Sequence, residues 1–393
     1  MKILYLDLNI IYHNPTRNLI PMLLDNIAHT LDIYGPGYIS NEVLKKGIEC
    51  FYNKNGPYDI VVTNEHTLYA NKGGWDKDFN KAYSDNHFLS FDSSLLKSAI
   101  YDMHNFYMRL STYDVKKVAF LLESDYYSMD QVRIENIINS DSYIAGFGYE
   151  FIKYKEELED IKKESFSEKV NDKYKSFIKK YSEKVISTVH FIDNSEIHYN
   201  TLDDRKYLVN VLGTNYYRRK IVNSILEKNK IAKYNNFHIF MYKFFNNIGC
   251  NPYSNYTMLK LYNIFFNKLL IDSKSIYTDG SALNLPIRKY FEIPASGSLL
   301  IATPCNGFDK LGFNNENSIV LDNFNDIIDI INSIKSSDHY QKIATRGNKL
   351  IYNNHSIFAR VKQLNEAFEL IVNNSYHGSS WTNGQVKYDS VKM

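Results

Sequence analysis

The sequence predicts an α/β protein built of two doubly wound domains that face each other across a cleft. Three observations predict it. The chain has 393 residues, against about 100–200 for one domain. Its short apolar runs lack polar alternation, as in strands buried on both faces of a parallel sheet. Helix-length segments separate those runs, which gives βαβ grammar. The expected boundaries are 1–200 for the first domain, 201–372 for the second and 373–393 for a polar tail.

The elements follow in order. Ile3 to Leu8 reads as a strand, Thr16 to His29 as a helix, and Thr30 to Tyr34 as a strand ending in the sharp turn Gly35-Pro36-Gly37. Tyr58 to Thr63 is the next strand, Leu95 to Ser111 a helix, and Lys117 to Glu123 a strand running into Ser-Asp-Tyr-Tyr. From Tyr154 to Lys184, Lys and Glu are mixed while Leu158, Ile161, Phe177 and Tyr181 recur near helical spacing, which predicts two amphipathic helices. Val185 to Ile192 reads as the last strand of the first domain, and His198 to Arg205 as a polar hinge. The second series has strands at Tyr207 to Thr214, His238 to Tyr242, Ser275 to Tyr277, Ser298 to Thr303 and Ser318 to Leu321. Helices are expected at Tyr216 to Asn229, Ile287 to Ala295 and through Phe324 to Val372.

Composition excludes several classes. With 44% hydrophobic and 23% charged residues, the chain is neither disordered nor a coiled coil. A net charge of +2 gives no broad basic face, so nucleic acid is not an expected partner. Cys50, Cys250 and Cys305 form no CxxC pair, which argues against a disulfide framework and a cysteine zinc site and fits a reducing cytoplasm. Asp7 inside the first apolar run is wrong for a signal peptide. The apolar stretch Met258 to Ile271, interrupted by Lys260, Asn263, Asn267 and Lys268, is expected to turn an apolar face to the core.

Three constellations carry chemistry. In the first, a strand ends at Gly213 and a helix opens with Arg218 and Arg219; from Arg218 to Lys233 six basic residues meet one acid, Glu227. A glycine turn with arginine in the first helical turn suits a diphosphate. The second is a helix between Pro286 and Gly297 that sets Arg288, Lys289 and Glu292 within one turn, cations for phosphate and an acid for ribose hydroxyls. The third is the strand end carrying Glu123 and Asp125, candidate general bases beside a low-dielectric cleft, with Asp7, His13 and His66 as alternatives. A DxD metal motif is missing as a clear pattern, so no metal is expected.

The run Arg288-Lys-Tyr-Phe-Glu-Ile-Pro-Ala-Ser-Gly-Ser-Leu-Leu-Ile-Ala-Thr-Pro304, followed by Gly307 to Phe313, resembles the C-terminal domain of group-1 GT-B glycosyltransferases, closest in flavour to the spore-maturation subgroup. The resemblance spans roughly Tyr207 to Val372; the first half is similar only in architecture. It implies the GT-B fold, two Rossmann-like doubly wound domains across a cleft. It also implies that Glu292 binds the donor ribose, that Lys289 or Arg288 contacts the diphosphate, and that the Gly213 turn with Arg218 and Arg219 is a second phosphate contact. The bacteriophage DNA beta-glucosyltransferase is similar in having a strand that ends in an aspartate base. Retaining members commonly carry a Glu eight residues before the ribose-binding one; here that position is Asn284, which weakens any inference of a retaining mechanism.

The expected function is therefore hexosyl transfer from a UDP- or GDP-type nucleotide sugar, in the cytoplasm. The acceptor is expected to be a bacterial surface glycan, a lipid-linked glycan or a glycoprotein, with peripheral contact to the inner membrane face. A sugar-nucleotide epimerase, a polyol-phosphate transferase and a non-catalytic glycan-binding scaffold on the same fold are the alternatives.

Overall fold

The computed structural model describes residues 1–9, 15–64, 67–68, 93–122, 139, 141–164, 167, 172–231, 244, 247–248, 256–334 and 338–390. The first unit runs β1 (Lys2–Leu6), α1 (Pro15–Asn18), α2 (Ile20–Ile27), β2 (Thr30–Tyr34), α3 (Asn41–Lys45), α4 (Ile48–Asn55), β3 (Ile60–Asn64) and α5 (Ser93–Arg109). It continues through β4 (Lys116–Leu121), β5 (Tyr143–Phe147), α6 (Lys173–Lys180) and β6 (Val185–Thr188). The strands form one sheet in the order β2-β1-β3-β4-β5-β6, and every pair is parallel. Successive side chains of a strand face opposite sides. Thus Leu4 and Leu6 join Ile100, Met103 and Phe106 of α5 in one core, while Ile3 and Tyr5 join Leu23 and Leu24 of α2 in another. Burial of both faces is why the run is uniformly apolar.

The second unit runs β7 (Tyr207–Val211), α7 (Tyr217–Lys228), α8 (Tyr256–Asp272), β8 (Ser273–Thr278), α9 (Lys289–Ala295), β9 (Leu299–Ala302), β10 (Ile319–Val320), α10 (Ile327–Ile334) and α11 (Asp338–Leu350). Its described strands form a parallel sheet in the order β10-β9-β8-β7, with Val209, Val211, Leu299 and Ile301 packed against Val222, Leu226, Ile327 and Ile331. Two parallel sheets wrapped by helices and facing one another give the two-domain GT-B architecture. The strand expected at 238–242 lies outside the described residues. Helix α8 does turn Leu259, Tyr262, Leu269 and Leu270 inward, yet Leu261, Ile264 and Phe265 remain 38%, 61% and 36% exposed.

The chain crosses between the domains twice, and the crossings touch. Ile192 N donates to His355 O at 3.0 Å and Ile357 N to Ile192 O at 2.9 Å. After the return crossing, α12 (Ile357–Val372) sets Leu364, Ala367, Phe368 and Ile371 into the core beside α2, so this helix packs on the first domain rather than the second. The segment read as a polar tail is instead the hairpin β11 (Tyr376–Thr382) and β12 (Gln385–Ser390). It docks on β6 through Ser187 N to Ser379 Oγ at 2.7 Å and Tyr376 Oη to Val185 O at 2.6 Å, and buries Trp381 to 1% exposure. The crossing itself precedes the expected hinge. Within 198–205, Arg205 donates to Leu270 O and Ser273 O and buttresses the second domain.

Two further differences have local causes. Among the described residues between Tyr154 and Lys184, the Lys-Glu region contains the 3₁₀ turns Lys155–Glu157, Ile161–Lys163 and Ser182–Lys184 and one helix, α6, instead of two amphipathic helices. Strand β5 was hidden by its glycine. At Gly146 a Cβ would lie 1.7 Å from the ring of Tyr149, so glycine is there to admit an aromatic, and it dilutes the apolar run.

Candidate functional site

The carboxyl ends of β7 and β8 meet at a buried ion pair. Gly213 has φ +113, and a Cβ there would sit 2.5 Å from Arg219 Nη1. Only glycine admits this guanidinium beneath the turn. Arg219 is 1% exposed; it pairs with Asp279 Oδ1 at 2.7 Å and donates to Thr214 O and Asp279 O at 2.8 Å each. It thus clamps the turns after β7 and β8 together. Arg218, one position earlier, pairs with Asp160 from the first domain and donates to Asn284 Oδ1 at 3.3 Å.

Helix α9 carries the second constellation. Pro286 precedes it, and Gly297 ends it with φ +77, where a Cβ would meet Arg205 Nη2 at 2.7 Å and His198 O at 2.8 Å. All five N–H donors of Arg288 are engaged within the protein. Nε donates to Glu292 Oε1 at 2.7 Å, Nη1 to Thr16 Oγ1 at 3.1 Å and Phe191 O at 2.6 Å, and Nη2 to Glu196 Oε1 and Oε2 at 2.8 and 2.6 Å. Burial opposes its charge, but Glu196 and Glu292 outweigh that and hold its pKa above the usual guanidinium value. Arg288 therefore rivets α9 to both the crossing segment and α1. Lys289 beside it is half-buried and, among the described residues, has no hydrogen bond or ion pair. Burial lowers its pKa, with Glu292 acting in the opposite sense. Glu292 is 8% exposed; Arg288 holds one carboxylate oxygen, and among the described residues the other has no partner.

On the first-domain side, His190 follows β6. Its Nδ1 lies 2.9 Å from Thr16 Oγ1, the same hydroxyl that accepts from Arg288, and its ring packs 5.5 Å from that of Phe147. Burial, joined by Arg288, Lys289 and Arg360, pushes its pKa down to about 3, so the ring is neutral. Asp7 is enclosed at the ends of β1 and β3, accepting from Tyr5 Oη at 2.8 Å and Asn64 Nδ2 at 2.5 Å. The candidate bases Glu123 and Asp125, with His13 and His66, lie outside the described residues.

A cleft of about 170 Å³ opens where the loop after β5 meets the second domain, lined by Lys153, Glu157, Asp160, Arg218, Asn284 and Asn306 among others. Asn284 Nδ2 donates to Asn306 Oδ1 at 2.9 Å, and Asn306 Nδ2 to Phe151 O at 3.1 Å. Pockets that enclose drug-sized ligands run to about 300–1,000 Å³. This cleft is therefore too small to enclose a whole ligand of that size.

The structure thus brings Arg288, Lys289 and Glu292 together on one short helix, and separately joins Gly213 to Arg219. Sequence reasoning missed Asp279, Glu196, Thr16 and His190. Only Glu196 had a legible signal: Asp193-Asn-Ser-Glu196 is a capping box, formed here by Ser195 N to Asp193 Oδ1 at 2.7 Å and Asp193 N to Glu196 Oε1 at 3.1 Å.

No protein-family model matches the chain, and no curated protein matches it in sequence. Among solved structures it is similar to sucrose-phosphate synthase from Thermosynechococcus elongatus at 9% identity and a TM-score of 0.49, covering 95% of this chain and 100% of that one. It is similar to a glycosyltransferase from Rickettsia africae at 13% identity and a TM-score of 0.48, covering 95% and 99%. It is also similar to the Anabaena protein HepE in complex with UDP, at 10% identity and a TM-score of 0.48, covering 94% and 100%.

Proposed function

We propose that the protein is a glycosyltransferase that takes a UDP- or GDP-type nucleotide sugar, gripping the diphosphate with Lys289 and the ribose with Glu292. The observation that carries the reading is the contrast within α9. Arg288 has every donor engaged, whereas among the described residues Lys289 has no ion-pair partner and Glu292 has one oxygen anchored and one without a partner. A half-buried ammonium without an anion suits a phosphate, and an anchored carboxylate with a free oxygen suits a pair of ribose hydroxyls. Catalysis is positioning and charge stabilisation of the leaving diphosphate by Lys289, with Asp125 or Glu123 as the proposed base toward the acceptor hydroxyl. No metal is invoked. The proposed acceptor is a bacterial surface glycan, lipid-linked glycan or glycoprotein reached from the cytoplasm. The exposed Leu261, Ile264 and Phe265 of α8 support a lipid-linked acceptor.

Isothermal titration with UDP and GDP tests the reading. One of them is expected to bind, and Lys289→Ala to weaken it about tenfold, the effect of losing one hydrogen bond to a charged group. Binding of neither sinks the proposal. Product analysis after incubation with donor then separates transfer or free sugar from an epimer or a polyol phosphate. One observation favours a second reading, the non-catalytic scaffold. Arg218, Arg219 and Arg288 are all committed to carboxylates of the protein, which of the four cations expected at the diphosphate leaves Lys289. A scaffold predicts no turnover of any donor that binds.

A further inference from the structure

The geometry points to His190 as a direct ligand of the leaving diphosphate, supplied by the first domain and held ready by Thr16. This rests on the proposed nucleotide-sugar reading and adds a residue to its site. Arg288 Nη1 donates to Thr16 Oγ1 at 3.1 Å, and Thr16 Oγ1 lies 2.9 Å from His190 Nδ1. An oxygen that already accepts from a guanidinium still has one hydrogen to give, and the inference assigns that hydrogen to the imidazole lone pair. Nδ1 is then the acceptor, and the proton of the neutral ring resides on Nε2. Among the described residues nothing bonds that Nε2–H, and the ring is only half-buried.

The placement matches the ligand. His190 follows the carboxyl end of β6 and is joined through one hydroxyl to Arg288, the neighbour of Lys289, so donors from both domains converge where the chain crosses between them. Burial first, and then the cations near the ring, Arg288 at the N-cap of α9, Lys289 on it and Arg360 on α12, keep it from charging. A neutral donor among cations suits a phosphate oxygen. It adds a hydrogen bond without a further charge to be desolvated.

The test compares nucleoside diphosphate with nucleoside for whichever base binds the wild type, UDP against uridine or GDP against guanosine. His190→Ala and His190→Phe are expected to weaken the diphosphate about tenfold and leave the nucleoside unchanged. His190→Gln, whose Nε2 amide also donates, recovers part of the loss, and Thr16→Val, which unlocks the tautomer, gives a smaller loss of the same kind. Equal weakening of nucleoside and diphosphate makes the residue structural and overturns the inference. So does unchanged binding in both His190→Ala and His190→Phe. A wild type that binds no nucleoside diphosphate overturns the underlying reading instead, and this inference with it.

Discussion

Arg219 and Lys289 are both cations of the second domain, and their surroundings give them opposite tasks. Arg219 is sealed against Asp279 under the Gly213 turn, at 1% exposure for each partner's side chain. Removing one member of such a pair strands the other, at a cost of about 3–5 kcal/mol. Asp279→Ala is therefore expected to shift the urea midpoint far down, while Arg219→Met combined with Asp279→Leu loses much less. A single variant as stable as the wild type refutes this view of the turn. Lys289 predicts the reverse. Its burial disfavours the charge and among the described residues it has no ion-pair partner, so Lys289→Met is expected to leave the melting temperature unchanged or raised while nucleoside diphosphate affinity falls. A clear fall in melting temperature assigns Lys289 to stability instead.

At the scale of elements, what was legible depended on whether the signal was local. Strands β1 to β4 and helices α5 and α7 announce themselves by period and punctuation within one segment, and they fold close to where those signals lie. Helix α9 was marked by Pro286 and Gly297, and Lys289 and Glu292 were found on it. The partners were not legible. Glu196 stands 92 positions from Arg288 and Thr16 stands 272, and no spacing rule reaches that far. The hairpin after Asn374 was missed because its strands are half exposed, which leaves Tyr376 and Trp381 as isolated apolar residues in a polar sequence. Helix α8 was read for its inward face, whereas its outward face is the unusual one. Leu261, Ile264 and Phe265 lie exposed between Lys260 and Lys268, with no acid from Tyr256 to Ile271, a pattern that fits the surface of an anionic bilayer. Co-sedimentation with phosphatidylglycerol vesicles at low salt is expected, and Ile264→Ser with Phe265→Ser is expected to abolish it without altering UDP or GDP affinity. Retention of the double variant on vesicles removes α8 from the membrane argument.

Over the whole molecule, stability and the relation of the two domains converge on the paired crossings, where His355 stands. Its backbone carbonyl accepts from Ile192, and its ring lies 4.9 Å from Phe291 of the second domain and 5.7 Å from Trp381 of the hairpin. Nε2 is 2.9 Å from Leu311 O, and a carbonyl only accepts, so the buried ring is the neutral Nε2–H tautomer. Burial, reinforced by Arg360, pushes its pKa down to about 3 from an ordinary value of 6.5. Because the folded value is the lower one, the unfolded chain binds the extra proton below pH ~6.5, and stability falls with pH in that range. The contribution is complete above about pH 7; between pH 7 and pH 5 this fully buried ring alone is expected to remove about 2 kcal/mol. His190 acts in the same direction. Urea unfolding at the two pH values measures the loss, and His355→Gln, which keeps a donor for Leu311 O and does not titrate, is expected to flatten the dependence by about one proton. Trp381 fluorescence should report the hairpin leaving the junction in the same transition. An unchanged pH slope in His355→Gln places the acid sensitivity elsewhere than at this junction.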